Sequence, residues 1–114
     1  MRVSRVDGSD ILQIGAEWSG AQLSLRLSGE LDFCSAPQLR QALDDAAART
    51  PARVLLDLEH LSFIDAAGIR AILRGAEIFG PRLILHRTPP VAMRLFTMTG
   101  VEQRLNFGID SSRG

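Results

Sequence analysis

The sequence predicts an α/β fold: a mixed, mostly parallel β-sheet that opens with an N-terminal hairpin and has helices packed on it. Three observations lead there. The hydrophobic period changes along the chain, from the strict alternation of "AQLSLRLS" to the i, i+3, i+4, i+7 spacing of Leu39, Ala42, Leu43 and Ala46. Two further runs, "RVLLDL" and "RLILH", are almost unbroken apolar and suit strands covered on both faces. Strand and helix signals then alternate, and each parallel pairing needs a crossover, which here is helical.

Taken in order, "ILQIGAEW" and "AQLSLRLS" flank Ser19 and Gly20, a two-residue link of hairpin type. Leu23, Leu25 and Leu27 fall on one face of the second strand, with Gln22, Ser24, Arg26 and Ser28 on the other. The helical segment "SAPQLRQALDDAAAR" follows, with Ser35 as cap and Gln38 completing a capping box. After Thr50 and Pro51, "RVLLDL" is the expected centre of the sheet. A second helix runs from about Ala66, carrying Ile69, Ile72, Leu73 and Ala76 on one face, and ends near Gly80 and Pro81. "RLILH" is the next strand. Pro89 and Pro90 open a third helix, where a missing N–H costs no helical bond. Val91, Leu95 and Met98 share one side of it, Gly100 closes it, and "RLNFGI" is expected to add a short edge strand.

At 114 residues the chain suits one domain. Residues 1–9 and 111–114 read as flexible ends around a domain spanning 10–110, because they are polar and carry no period. Thirteen basic residues, all Arg, balance thirteen acidic ones. That balance removes the broad positive field of a nucleic-acid binder, so no direct nucleic-acid binding is expected. No apolar stretch reaches the roughly 20 residues of a membrane span, and no secretory leader is legible, so a cytoplasmic location is expected. Cys34 stands alone, which excludes an intrachain disulfide and fits a reducing compartment.

Catalytic patterns are sparse. His60, His86 and Cys34 lack the close paired spacing of a zinc site, and no Gly-rich phosphate loop is present, so neither metal nor cofactor is expected. Two carboxylates carry chemical interest. Asp57 lies inside an apolar strand, where it is either at a solvent-facing end or buried with a hydrogen-bond partner. Asp65 directly precedes the second helix, where a carboxylate accepts from free N–H groups and meets the positive end of the helix dipole. Gly68 leaves that first turn without a side chain, so another backbone can approach closely. A receiver-like phosphoacceptor role at Asp57 or Asp65 is the enzymatic reading, and the lack of lysine and of paired early acidic residues counts against it.

Read together, three segments resemble the STAS domains of the bacterial anti-sigma factor antagonist family. "LSGELDFCSAPQLRQAL" is similar to a strand ending in a Gly-Glu-Leu-Asp turn that feeds a capped helix. "VLLDLEHLSFIDAAGIRAIL" is similar to a buried strand and an Asp-Ser-Ser-Gly or Asp-Ser-Thr-Gly turn opening the next helix, and "MRLFTMTGVEQRLNF" to the closing helix. The resemblance runs from about Ile11 to Ile109. It implies a binding module that grips an anti-sigma factor, itself a serine kinase-like ATP-binding protein, and that is released when the first hydroxyl after the Asp is phosphorylated. In this chain the matching position is Ala66, which has no oxygen to accept phosphate; Ser35, Thr50 and Ser62 are the other acceptors near these motifs. Carried over by motif, the partner surface comprises Gly29, Glu30, Leu31, Asp32, Asp65, Ala66, Ala67, Gly68 and Arg70. A STAS subunit docked on a transporter ATPase of lipid-transport type resembles the same segments and is the alternative partner class.

Overall fold

The computed structural model describes residues 11–108; the expectations made for residues 1–9 and 111–114 lie outside the described residues. Four strands stand side by side in chain order: β1 (Leu12–Ser19), β2 (Gln22–Leu31), β3 (Arg53–Ile64) and β4 (Leu83–His86). β1 pairs antiparallel with β2, while β2–β3 and β3–β4 are parallel. Helix α1 (Ala36–Ala47) makes the first crossover, α2 (Ala66–Phe79) the second, and α3 (Pro90–Thr99) follows β4. This is the mixed α/β arrangement expected from the alternating periods.

The core is built from one parity of each strand. Leu23 and Leu25 of β2 lie in register with Val54 and Leu56 of β3 and these with Leu83 and Leu85 of β4, and all are buried together with Leu27, with Leu39 and Leu43 of α1 and with Ile72 of α2. Gly75 lets α2 settle here, since a Cβ at this position would lie 3.2 Å from Leu43 Cδ1 and from Leu83 Cδ2. Burying each such leucine contributes about 1.5–3 kcal/mol, so one packed face accounts for much of the stability.

Four sequence expectations change. The hairpin turn is Gly20–Ala21, since Ser19 already pairs with Gln22; a two-residue turn needs positive φ at its first central position, which Gly20 supplies at +61°. β3 is not covered on both faces: Leu55, beside Ser24 and Ile84, is only half-buried, as are both neighbours. In α3 the buried residues are Ala92 and Phe96, whereas Val91 and Met98 are exposed. Phe96 decides that orientation by packing its ring 6.3 Å from that of Phe107. Phe107 belongs to "RLNFGI", whose described residues form a single parallel bridge to Leu85 rather than an edge strand, Ile109 lying outside the described residues. The third helix does begin at Pro90 and closes on Gly100 in the left-handed region, as its sequence indicated.

Candidate partner-binding surface

Parallel pairing sets Leu31 beside Ile64 at the carboxyl ends of β2 and β3. The turn leaving β2 and the first turn of α2 are therefore neighbours by topology, although 32 residues separate Phe33 from Asp65. Both turns are organised by carboxylates that accept from backbone.

Asp32 is buried. Its Oδ1 accepts the amides of Cys34 and Ser35, each at 3.0 Å, and its carbonyl accepts that of Ala36 at 2.7 Å. Ser35 turns its hydroxyl back into the same loop, donating to the Glu30 carbonyl at 2.7 Å and accepting the Asp32 amide at 2.9 Å. It therefore makes no side-chain cap on α1. Gln38 instead sends its Nε2 to the Leu12 carbonyl at 3.1 Å, so the expected capping box does not form. The loop's own unpaired amides outcompete those of the helix for the nearest oxygens.

Asp65 is the cap that the sequence indicated, and it does more. Its extended backbone precedes α2, and Oδ1 accepts the Gly68 amide at 3.0 Å. Its Oδ2 accepts the Phe33 amide at 3.1 Å, which stitches the two turns together. The Asp65 amide donates to the Leu31 carbonyl at 3.3 Å, and the Ser62 hydroxyl to the Gly29 carbonyl at 3.1 Å. Gly68 is the residue that permits the contact: a Cβ there would stand 2.5 Å from the Leu31 oxygen and 2.9 Å from Leu31 Cγ.

Burial sorts the expected contact residues into two roles. Ala66 and Arg70 are exposed, and Gly29, Glu30 and Asp65 are half-buried. Leu31, Asp32, Ala67 and Gly68 are buried, so they shape the surface from beneath instead of presenting a side chain to a partner. Two residues that sequence reasoning missed stand on the surface: Phe33 is 76% and Phe63 45% exposed. With Glu30, Asp32, Cys34 and Asp65 they line a shallow depression of about 430 Å³. A legible hint was their placement, one phenylalanine in a turn and one at an outward position of β3, in a chain with only five phenylalanines. The depression is acidic and aromatic, a surface suited to protein contact.

Asp57 lies elsewhere, on β3. It is buried and accepts from the Arg87 guanidinium and, through Oδ1, from the Glu59 amide at 3.1 Å. Burial pushes its carboxyl up, but the Arg87 hydrogen bond, the Glu59 amide and the charges of Arg87 and Arg26 outweigh that and hold it below the usual aspartate range. Among the described residues no group of three or more His, Cys, Asp or Glu side chains is arranged to hold a metal ion, and no helix is long and apolar enough to cross a membrane.

The family model described as "Mlab, STAS domain" matches residues 14–107. The chain belongs to the STAS domain family. Among curated relatives, this STAS domain is 34% identical over 95 residues to an anti-sigma F factor antagonist of Paenibacillus polymyxa, covering 79% of this chain and 80% of that one. Among solved structures, an anti-sigma factor antagonist from Mycobacterium paratuberculosis superposes with a TM-score of 0.79, 22% identity and 90% of each chain covered, a likeness of fold. The anti-sigma factor antagonist SpoIIAA, solved in its unphosphorylated form, superposes with a TM-score of 0.66 at 25% identity over 89% of each chain; that protein has also been solved in a phosphorylated form. The STAS domain described here is thus similar to regulators of the anti-sigma factor antagonist type.

Proposed function

We propose that this STAS domain acts as an anti-sigma factor antagonist that binds a kinase-like, ATP-binding anti-sigma factor through the Asp65 corner, without catalysis and without a phosphorylation switch at Ala66. The observation that carries the reading is the pairing of a built surface with an inert residue. Asp65 fixes the two turns to each other through both of its oxygens, and the exposed side chain it holds forward is the methyl of Ala66. A phosphoserine would bring about 1.5 to 2 negative charges to this point, and alanine cannot receive them. The module therefore stays in its binding-competent form, and its regulation passes to its abundance or to its partner. The relatives' names support the antagonist class, and the exposed Phe33 and Phe63 beside the corner supply apolar contact area.

The test is affinity capture from the native cell with the full chain and with Ala66→Glu. Recovery of a small kinase-like ATP-binding protein by the unaltered chain alone is expected. The variant should keep its Tm within about one or two degrees, because an acidic residue is tolerated in the first turn of a helix. Equal capture by both proteins would place the interface elsewhere. Recovery of a membrane transporter complex would replace this reading with that of a docked transporter subunit.

A further inference from the structure

A groove of about 610 Å³ runs beside the proposed corner, lined by Arg40 and Asp44 of α1, Arg70, Leu73, Arg74 and Glu77 of α2, and Arg104 from the turn after α3. Four guanidinium groups from three chain segments meet here against two carboxylates. One of the four is engaged: Arg74 bonds Asp44 at 3.3 Å. Arg40, Arg70 and Arg104 are exposed and form no ion pair with any described residue. The groove and the corner are joined by one helix face, since Ala66, Arg70 and Arg74, all exposed, follow one another at four-residue spacing along α2. Half-buried Leu73 lies among the arginines and offers an apolar seat.

We infer that this groove takes an acidic segment of the partner protein, with Arg40, Arg70 and Arg104 as the groups that recognise its carboxylates. The inference rests on the antagonist reading for the partner's identity, and it adds the chemistry of a second contact. Planar guanidinium forks on separate elements match spaced carboxylates, each of which can be held in a bidentate pair. Asp44 and Glu77 inside the same groove repel a continuous polyanion, and the chain as a whole is neutral, so nucleic acid is disfavoured. A free phosphate is disfavoured as well, because the guanidinium groups are exposed and spread over three segments rather than closed into one desolvated cradle. The surface is consequently two-signed: acidic and aromatic around Glu30, Asp32 and Asp65, basic along α2. Opposite charges at the two ends of one surface fix a partner's orientation and accelerate encounter more than they raise final affinity.

The experiment titrates the full ¹⁵N-labelled chain with a short capped Glu-Leu helical peptide. Amide resonances of Arg40, Arg70, Leu73 and Arg104 and the guanidinium resonances of the three arginines should move, the effect should fade at high ionic strength, and Arg40→Glu with Arg104→Glu should weaken binding about tenfold or more. A Lys-Leu peptide of the same length should move none of them. Shifts confined to other surfaces, or unchanged peptide binding by the double variant, would overturn the proposal. So would equal shifts with duplex DNA or inorganic phosphate, which would make the groove a general anion site. The captured partner separates this inference from the reading beneath it. If Ala66→Glu abolishes capture while the double variant associates at the full rate, the groove proposal fails and the antagonist reading stands. If the peptide binds as expected but no kinase-like partner is captured, the groove stands as an acidic-peptide site and the antagonist reading falls.

Discussion

Asp57 lies within β3 and Asp65 directly follows its end, yet their oxygens go to different kinds of partner. Asp65 gives both to backbone amides, one on its own helix and one on a turn far away in sequence. Asp57 gives its carboxylate chiefly to the side chain of Arg87, itself about half exposed, and beyond that, among the described residues, only to the amide of Glu59, two residues away on its own strand. A carboxylate that accepts from backbone fixes the path of the chain. One that accepts from an arginine balances charge and leaves the chain much as it was. In the partner surface proposed above, the first arrangement would order both turns ahead of binding, so less ordering would be needed at that moment; the second is an ordinary structural ion pair.

The sharpest way to break the Asp65 corner is Gly68→Ala. The added Cβ would meet a backbone oxygen at 2.5 Å, which no rotamer change relieves. A loss of about 3 kcal/mol is expected, read as a fall in Tm of roughly ten degrees or more. Gly15→Ala is the control, because its Cβ would find only Arg26 Cβ at 4.0 Å, an ordinary contact. A Gly68→Ala protein as stable as the control would show that the two turns are not held in contact.

Asp65→Ala comes next in size. It strips acceptors from two amides and removes a helix cap, at a combined cost of about 2 kcal/mol in urea unfolding. Asp65→Asn keeps one oxygen and should fall between the two. The more informative readout is amide exchange: Phe33 should lose protection in Asp65→Ala, although that residue is far away in sequence. Unchanged exchange at Phe33 would mean that the stitch carries no energy.

Much of this was legible in the sequence, and the division follows the range of the interactions. Hydrophobic periods and unbroken apolar runs located the three helices and the four strands of the sheet, because burial acts over neighbouring residues, and they overcounted by one edge strand at "RLNFGI". Asp65 announced itself as a cap, and Gly68 as a place for close backbone approach, since both are local rules. The bond from Phe33 to Asp65 was invisible because it depends on strand register. Ser35 and Gln38 matched a capping box, but the competing Glu30 and Leu12 carbonyls come from the adjoining turn and strand, which a local pattern does not contain. Motif matching likewise named Leu31 and Ala67 as contacts without revealing that both are buried, and it passed over Phe33, whose exposure only the folded turn reveals. The convergence of Arg40, Arg70 and Arg104 required three segments to be placed at once.

The smallest expected effect belongs to the other aspartate and concerns pH. Asp57 is held below the ordinary aspartate value of 3.8 in the folded protein. Between that value and the lowered one, the unfolded chain takes up a proton that the folded chain does not, so stability falls as pH drops through this window and is fully present above it. Asp57→Asn should remove that slope. It should also cost about 1 kcal/mol at neutral pH, a figure discounted for the solvent exposure of Arg87. Urea unfolding of both proteins across the acid range checks the sign: parallel stability curves would mean that Arg87 contributes no net stabilisation of the charged carboxylate. Because Asp57 orders no turn of the corner, its asparagine variant should bind the captured partner as the unaltered chain does. Weakened capture would extend the recognition surface onto the half-covered face of the sheet, and the contrast between the two carboxylates would lose its functional meaning.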